Sequence, residues 1–315
     1  MNAVFRLDLR WSSAWVLLGY LTVLATLAGF ASRLWWVLEL ASHFRFQYLI
    51  ILAGLTFGLA ATRRYKSSLI FLLGSALNLA VIAPSYMSGS DSSAAELPLR
   101  VMSLNVQRSN QNYAEVRHII ERHSPDLIVL QEVDIGWLRE LSGLSKQYPY
   151  TINEARNTNF GIALFSKFAL QKADIVYLSD ARYPSILADV AIDDRRITIL
   201  GTHPPPPTGA FYAQLRNTQL TAIVRARQRA NGPFLLLGDL NTSPWSYHFI
   251  RLLEEADLHS AARGYGVLPT WPAQLFPMGI PIDHCLHSEG IKVVDFRLGE
   301  RVGSDHLPIF VDLMI

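Results

Sequence analysis

Three charge-free stretches in the first ninety residues constrain this chain more than any other feature. No Asp, Glu, Lys or Arg occurs between Arg10 and Arg33 (22 residues), between Arg45 and Arg63 (17 residues) or between Lys66 and Asp91 (24 residues). Crossing the hydrocarbon core of a bilayer takes about 20 apolar residues in a helix, with about 17 at the lower limit. The spacing predicts three transmembrane helices, near 13–32, 46–62 and 68–86. A cleaved leader would account for the first run and leave two more in succession.

Basic residues set the expected orientation. Arg6 and Arg10 precede the first run, and Arg63, Arg64 and Lys66 separate the second from the third. The first connection holds Arg33 and Arg45 with Glu39 between them. Positive charge is retained on the cytoplasmic side. The N-terminus and the second connection are therefore expected inside, and everything beyond about residue 87 outside. The expected location is the inner (plasma) membrane, multi-pass, with an extracytoplasmic domain.

Past the helices the character of the chain changes. Residues 1–90 form the membrane region, 91–97 read as a small, polar linker, and 98–315 as one domain. Of 28 Lys and Arg and 26 Asp and Glu, residues 1–90 hold 7 and 2; the other 21 and 24 leave 91–315 at net −3. A protein gripping polynucleotide without sequence preference usually presents a basic surface, and bulk charge here gives no such support. Cys285 is the single cysteine, so no intramolecular disulfide forms, and its apolar neighbours read as a buried, inert thiol.

Within the domain, short apolar runs end on polar side chains. Phe234–Leu237 leads through Gly238 to Asp239 and Asn241, which a period of two places on one face of the extended chain. Leu99–Leu104 ends at Asn105, and Pro125–Leu130 at Gln131-Glu132. A hairpin, Ile186–Ala191 with Arg196–Thr202, closes on His203, followed by four prolines, Pro204 to Pro207. Asp283 opens a strand, and Asp305-His306 precedes the last one, Ile309–Leu313. Helical spacing marks Tyr113–His123, Phe211–Arg229 and a short segment through Phe249–Leu253. Taken singly, each tip has a plainer reading: a turn Asp or Asn, a first-turn Glu, a surface His.

The tips together offer oxygen ligands suited to a hard cation such as Mg²⁺. No H-E-x-x-H or Cys/His spacing indicates zinc. No G-x-x-x-x-G-K-[ST] loop indicates nucleotide-driven work. No G-x-S-x-G supplies a serine nucleophile.

Leu104-Asn105, Gln131-Glu132, Thr202-His203, Gly238-Asp239-Leu240-Asn241, Ile282-Asp283-His284 and Ser304-Asp305-His306, in that order, resemble the endonuclease/exonuclease/phosphatase superfamily of Mg²⁺-dependent phosphoesterases. The resemblance covers about 98–315. It implies an α/β fold, a four-layer sandwich of two mixed sheets with outer helices. It implies Glu132 as metal ligand, with Asn105 and Asp305 close to the cation, Mg²⁺ or alternatively Mn²⁺. Asp239 and Asn241 match the pair that orients the attacking water. His306 matches the histidine on the scissile phosphate, Asp283 the carboxylate that orients it, and His203 a second histidine found in part of the family. The proline run, Thr270-Trp271-Pro272 and the three-span N-terminus are similar to bacterial membrane-anchored members, including glycopeptide-resistance proteins of the VanJ type. The second acidic or tyrosyl phosphate contact of many nucleases has no counterpart that can be assigned here.

The expected activity is hydrolysis of a phosphoester or pyrophosphate by in-line water attack, with a lipid-linked substrate at the bilayer. Trp245, Trp271 and Pro204–Pro207 are candidates for an apolar approach to the site. The alternatives are a nuclease acting on nucleic acid and a catalytically inactive binding module of the same fold. No protein partner is inferred.

Overall fold

A computed structural model describes residues 2–87 and 97–315. The expected linker at 91–97 lies outside the described residues except for Leu97. The chain divides into a helical unit that runs to Tyr86 and an α/β unit that follows.

The helical unit comprises α1 (Asn2–Phe30), α2 (Trp36–Ser42), α3 (Arg45–Ala61) and α4 (Tyr65–Ile82), with a 3₁₀ turn at Ala83–Tyr86. Among the described residues two segments, Ser13–Phe30 and Tyr65–Tyr86, are long and apolar enough to cross a membrane. α2 and α3, bent by 62°, make a third if the pair counts as one span. Leu24, Phe57 and Leu73 are exposed on the helix surfaces, where an apolar side chain has no core to join. Phe71 is fully buried against α1 at Gly19, where a β-carbon would come within 2.2 Å of its ring.

The first connection differs from its sequence reading. It contains α2, and Arg45 is not a loop cation but the first residue of α3, 1 % exposed. Its Nη1 donates to Thr26 O (2.8 Å) and Asn78 Oδ1 (3.3 Å), and Asn78 Nδ2 donates to Thr26 Oγ1 (2.8 Å). A guanidinium leaves water only where acceptors await it, and α1 and α4 supply them.

The α/β unit holds two six-stranded sheets. One has the order β11-β12-β1-β2-β4-β3 and the other β5-β6-β7-β8-β10-β9. In chain order the strands are β1 (Pro98–Asn105), β2 (Leu127–Gln131), β3 (Tyr150–Glu154), β4 (Ile162–Ser166), β5 (Leu170–Tyr177) and β6 (Pro184–Ile192). Then follow β7 (Arg195–Thr202), β8 (Phe234–Asp239), β9 (His259–Ser260), β10 (Asp283–His287), β11 (Lys292–Leu298) and β12 (Ile309–Met314). The helices are α5 (Tyr113–His123), α6 (Ile135–Glu140), α7 (Ala210–Arg229) and α8 (Tyr247–Ala256).

Alternation along the strands builds four layers. Val101, Val129, Leu235 and Leu237 meet between the sheets. Their neighbours face outward: Met102, Leu104, Ile128 and Leu130 cover Ile119, Ile120 and Trp137 on one flank. Leu200 and Leu236 cover Leu220, Ile223 and Phe249 on the other. Strands buried on both faces carry unbroken apolar runs, which is why they were legible. The expected two-sheet α/β sandwich with outer helices is the fold observed.

Each sheet has one parallel pair at its centre, β1 with β2 and β7 with β8, while the other pairings are antiparallel. α5 makes the crossover from β1 to β2, and α7 that from β7 to β8. A parallel pair ends on one edge of its sheet, so Asn105 and Gln131 finish together, as do Thr202 and Asp239. β10 runs antiparallel to β8 with Asp283 opposite Asp239. A strand that opens where its neighbour closes explains why an acid at a strand start joins acids at strand ends.

Candidate active site

The tip of β8 is shaped by Gly238. Its φ is +152°, and a β-carbon there would lie 1.9 Å from Thr202 O. Only glycine lets β8 pass the end of β7 this closely, and the approach delivers Asp239 beside His203. Three non-glycine residues around the tips also take the left-handed region, Gln107 (φ +56°), Glu132 (+61°) and Asn241 (+49°). Each such residue costs on the order of 1–2 kcal/mol, and such strain gathers at functional sites.

Asp239 is at the centre of the cluster, 1 % exposed. Its Oδ1 accepts from Asn241 N (2.9 Å). Its Oδ2 accepts from Asn105 Nδ2 (3.2 Å) and lies 3.4 Å from His203 Nε2 and 3.7 Å from His306 Nε2. His306 turns its Nδ1 to Asp283 Oδ2 at 2.8 Å. Asn105 Nδ2 donates also to Glu132 Oε1 (3.1 Å), and Arg108 N donates to Glu132 Oε2 (3.1 Å). Two carboxylates thus stand within 3.2 Å of one amide nitrogen.

Asp305 reaches the cluster by a different route. Its N donates to Gln107 Oε1 (3.2 Å), and its Oδ2 accepts from Trp271 Nε1 (3.0 Å). The carboxyl and imidazole atoms of Asp239, Asp283 and His306 lie within 4.8 Å of one another. Among the described residues no comparable acid and histidine group includes Glu132 or Asp305. Asn241 turns its Nδ2 away, to Pro204 O (3.0 Å), and meets Asp239 through its backbone.

Burial opposes charge on all three partners, and proximity outweighs it. For Asp239, His306 and His203 overcome desolvation and hold the carboxyl at about 2. For His306, Asp283 and Asp239 overcome it and lift the imidazole to about 10. His203 is raised as well, its hydrogen bond to Asp239 overcoming burial. His284 differs. Burial lowers it, its Nε2 meets Thr242 O at 2.8 Å and its ring lies 4.4 Å from Phe249. It is a neutral core histidine and stands outside the cluster.

The lifted His306 has a consequence for stability. Between its ordinary 6.5 and about 10, the folded chain keeps a proton that the unfolded chain has released. This contribution is whole below about 6.5 and is lost as pH rises through about 10. In EDTA, the melting temperature is expected to fall across that window, and to fall less in Asp283→Asn. Parallel curves for the two proteins would contradict it.

The sequence reading gave no bracing role to the groups that hold these side chains, although Ser304 and Thr270 stand in its motifs. Ser304 Oγ donates to Asn105 O (2.7 Å) and accepts from His306 N (3.0 Å), tying the last loop to β1. Thr270 Oγ1 accepts from Ile282 N (3.1 Å) and Asp283 N (3.2 Å). Arg216 of α7 donates from Nη1 to Asn241 O (2.9 Å). Nothing in the spacing of α7 singles out Arg216, since its partner is 25 residues away.

The donor set suits a hard cation: carboxylates and an amide, without thiolates. Asp283 Oδ1 is buried without a hydrogen-bond partner among the described residues, an acceptor left over in an already anionic cluster.

Known proteins share this arrangement of elements. Structures of zebrafish (D. rerio) TDP2 complexed with single-strand DNA product (TM-score 0.59, 14 % identity) and a Neisseria 3′ phosphatase, NExo, bound to product DNA hairpin (0.57, 19 %) superpose on the chain. So does the human Nocturnin catalytic domain with bound sulfate (0.57, 21 %). These cover 70 %, 68 % and 73 % of this chain and 100 %, 98 % and 98 % of theirs. At such identities the likeness concerns the fold. Exodeoxyribonuclease III of Haemophilus influenzae is 23 % identical over 169 residues, which are 46 % of this chain and 58 % of that protein. The match to the Endonuclease/Exonuclease/phosphatase family runs from residue 102 to 306, from within β1 to His306 itself. With well over half of its length matched, and the two-sheet sandwich observed, the chain belongs to the endonuclease/exonuclease/phosphatase family.

Proposed function

We propose that this protein is a membrane-anchored phosphoesterase that uses a divalent cation, Mg²⁺ or Mn²⁺, to hydrolyse a phosphoester or pyrophosphate by in-line attack of water. The observation that carries the reading is the buried convergence on Asp239 of Asn105, His203 and His306, with Glu132 one amide away. Buried charges at this density cost stability and are kept where they act.

Glu132 and Asn105, with Asp305 alongside, would hold the cation, which when bound neutralises charge developing on the phosphoryl group. The chain's own groups do the rest. Asp239, whose carboxyl His306 and His203 hold below its ordinary range despite burial, is an ionised acceptor that would orient water through Oδ2. His306, protonated and fixed by Asp283, presents its Nε2–H to a phosphoryl oxygen. His203 lies 3.4 Å from the same Asp239 oxygen and suits the leaving or attacking oxygen. Asn241 closes the Asp239 loop.

For the substrate we favour a phosphate or pyrophosphate carried on a lipid. Apolar helices long enough to span a bilayer precede the domain, and the net −3 of residues 91–315 disfavours a polyanion. Of the two tryptophans considered for an apolar approach, Trp245 is buried, while Trp271 is 36 % exposed and bonded to Asp305. Multi-pass anchoring in the plasma membrane with the domain outside, as in the VanJ type, belongs to the same reading. A second reading, nucleic acid as substrate, has its support in the DNA products named in the TDP2 and NExo structures.

One panel separates them. The purified protein with Mg²⁺ is offered a polyprenyl pyrophosphate, a phospholipid, plasmid DNA and RNA, with Asp239→Ala as the blank. Release of phosphate from a lipid at the highest rate is expected. Faster loss of DNA or RNA would make the protein a nuclease, and no turnover at all would leave a binding module.

A further inference from the structure

Between Arg263 and Asp283 lie 19 residues without a charge, Gly264 to Ile282. Their middle forms a loop rooted at the candidate site. Trp271 Nε1 and Ala273 N both donate to Asp305, to Oδ2 (3.0 Å) and to the carbonyl (2.7 Å), and Trp271 pairs with Ile280 in an isolated bridge. The tip is the reverse of an ordinary surface loop: Leu275 is 61 % exposed, Phe276 49 % and Met278 42 %. Loops normally face water with polar residues, and clustered exposed apolar side chains mark a contact surface.

We propose that this tip is a bilayer-contacting element. Leu275, Phe276 and Met278 enter the acyl boundary of the leaflet, Trp271 lies at headgroup level, and Asp305 is thereby held at the plane where lipid phosphates reside. The inference rests on the membrane-anchored reading above.

Chain length favours a lipid surface as the occupant. Only 11 residues, 87–97, separate the 3₁₀ turn ending at Tyr86 from β1 at Pro98. At most they reach about 40 Å, at about 3.3–3.6 Å per residue. A domain on so short a tether meets its own membrane continually. The tip is also chemically ready for an apolar medium. Leu275 N, Met278 N and Ile280 N are satisfied within the loop by Pro272 O, Leu275 O and Trp271 O, so little backbone desolvation opposes entry. Tryptophan with its polar N–H is the side chain that settles at membrane–water boundaries.

The test uses the full chain in lipid nanodiscs. An environment-sensitive fluorophore is placed at Phe276→Cys on a Cys285→Ser background, with Asn231→Cys as an exposed reference. Doxyl-labelled lipid is expected to quench the label at 276 and not at 231, and iodide the reverse. A label at 276 as open to iodide as the reference overturns the proposal. Protection from iodide without doxyl quenching also overturns it, placing a protein surface or a second copy there instead. In a second arm, Leu275→Ser/Phe276→Ser/Met278→Ser is expected to slow hydrolysis of nanodisc-embedded polyprenyl pyrophosphate several-fold, with turnover of a small soluble phosphodiester unchanged. Equal loss on both substrates, or on neither, contradicts the proposed role. If the unaltered protein hydrolyses neither, the phosphoesterase reading fails while the quenching result still decides whether the tip enters lipid.

Discussion

Asp239→Asn is expected to lower kcat by at least about 10², the range for groups that handle protons or orient water. The substitution is isosteric, so the side chain still fills its site at the end of β8. What it removes is the charge on which three partners depend. Asn105 Nδ2 and the two imidazoles lie 3.2, 3.4 and 3.7 Å from the same Oδ2. With a neutral amide there, water loses an anionic acceptor, and His203 and His306 lose a common counter-charge. KM is expected to change much less than kcat, because on the proposed reading Asp239 would lie beside the reacting oxygen and not on the body of the substrate. Circular dichroism and the melting temperature show whether the fold survives. A folded variant with kcat within a few-fold of the unaltered protein would remove Asp239 from the centre of the reaction.

The tips were legible because a strand buried on both faces is a run of apolar residues with an abrupt end. Phe234–Asp239 and Leu127–Gln131 are of this kind, every residue buried. The helix at Tyr113–His123 was legible through its spacing, and its observed bounds are the same. β3 and β5 were not, since every one of their residues is partly or fully exposed at sheet edges and neither shows a clean alternation. β9 is two residues long and has no pattern to read.

Partnership across the sheet was illegible for another reason. β1 pairs with β12 from Pro98 to Met314, a contact set by the whole topology and by no local signal. The same holds for the braces of the site. Ser304 on Asn105 O and Arg216 on Asn241 O join residues 199 and 25 positions apart. Arg45 was misread as a loop cation because a sequence shows a charge and not the carbonyls waiting for it.

Chelation is expected to abolish turnover, and Glu132→Gln to raise the Mg²⁺ required by roughly tenfold or more, the size seen when groups supporting a bound metal are removed. On the proposed reading, the backbone places Glu132 where it would hold a cation. A left-handed φ of +61° immediately after β2 turns the side chain to Asn105, and Arg108 N holds the second oxygen. Glutamine keeps that volume and can still accept from Arg108 N, but it brings a neutral oxygen to a site where charge would hold the cation. The rate at saturating Mg²⁺ should therefore recover substantially in Glu132→Gln, whereas no Mg²⁺ concentration restores Asp239→Asn. Mn²⁺ titration calorimetry supplies a readout independent of turnover: weaker binding in Glu132→Gln and near-normal binding in His306→Ala. An unchanged cation requirement in Glu132→Gln would move the metal to the Asp239, Asp283 and His306 group, whose ligand atoms lie within 4.8 Å of one another. Full activity in EDTA on every phosphoester would end the metal-dependent reading. The contrast between the two substitutions follows from their positions: Asn105 Nδ2 bonds both carboxylates, and on the proposed reading Glu132 would face the cation while Asp239 meets the histidines.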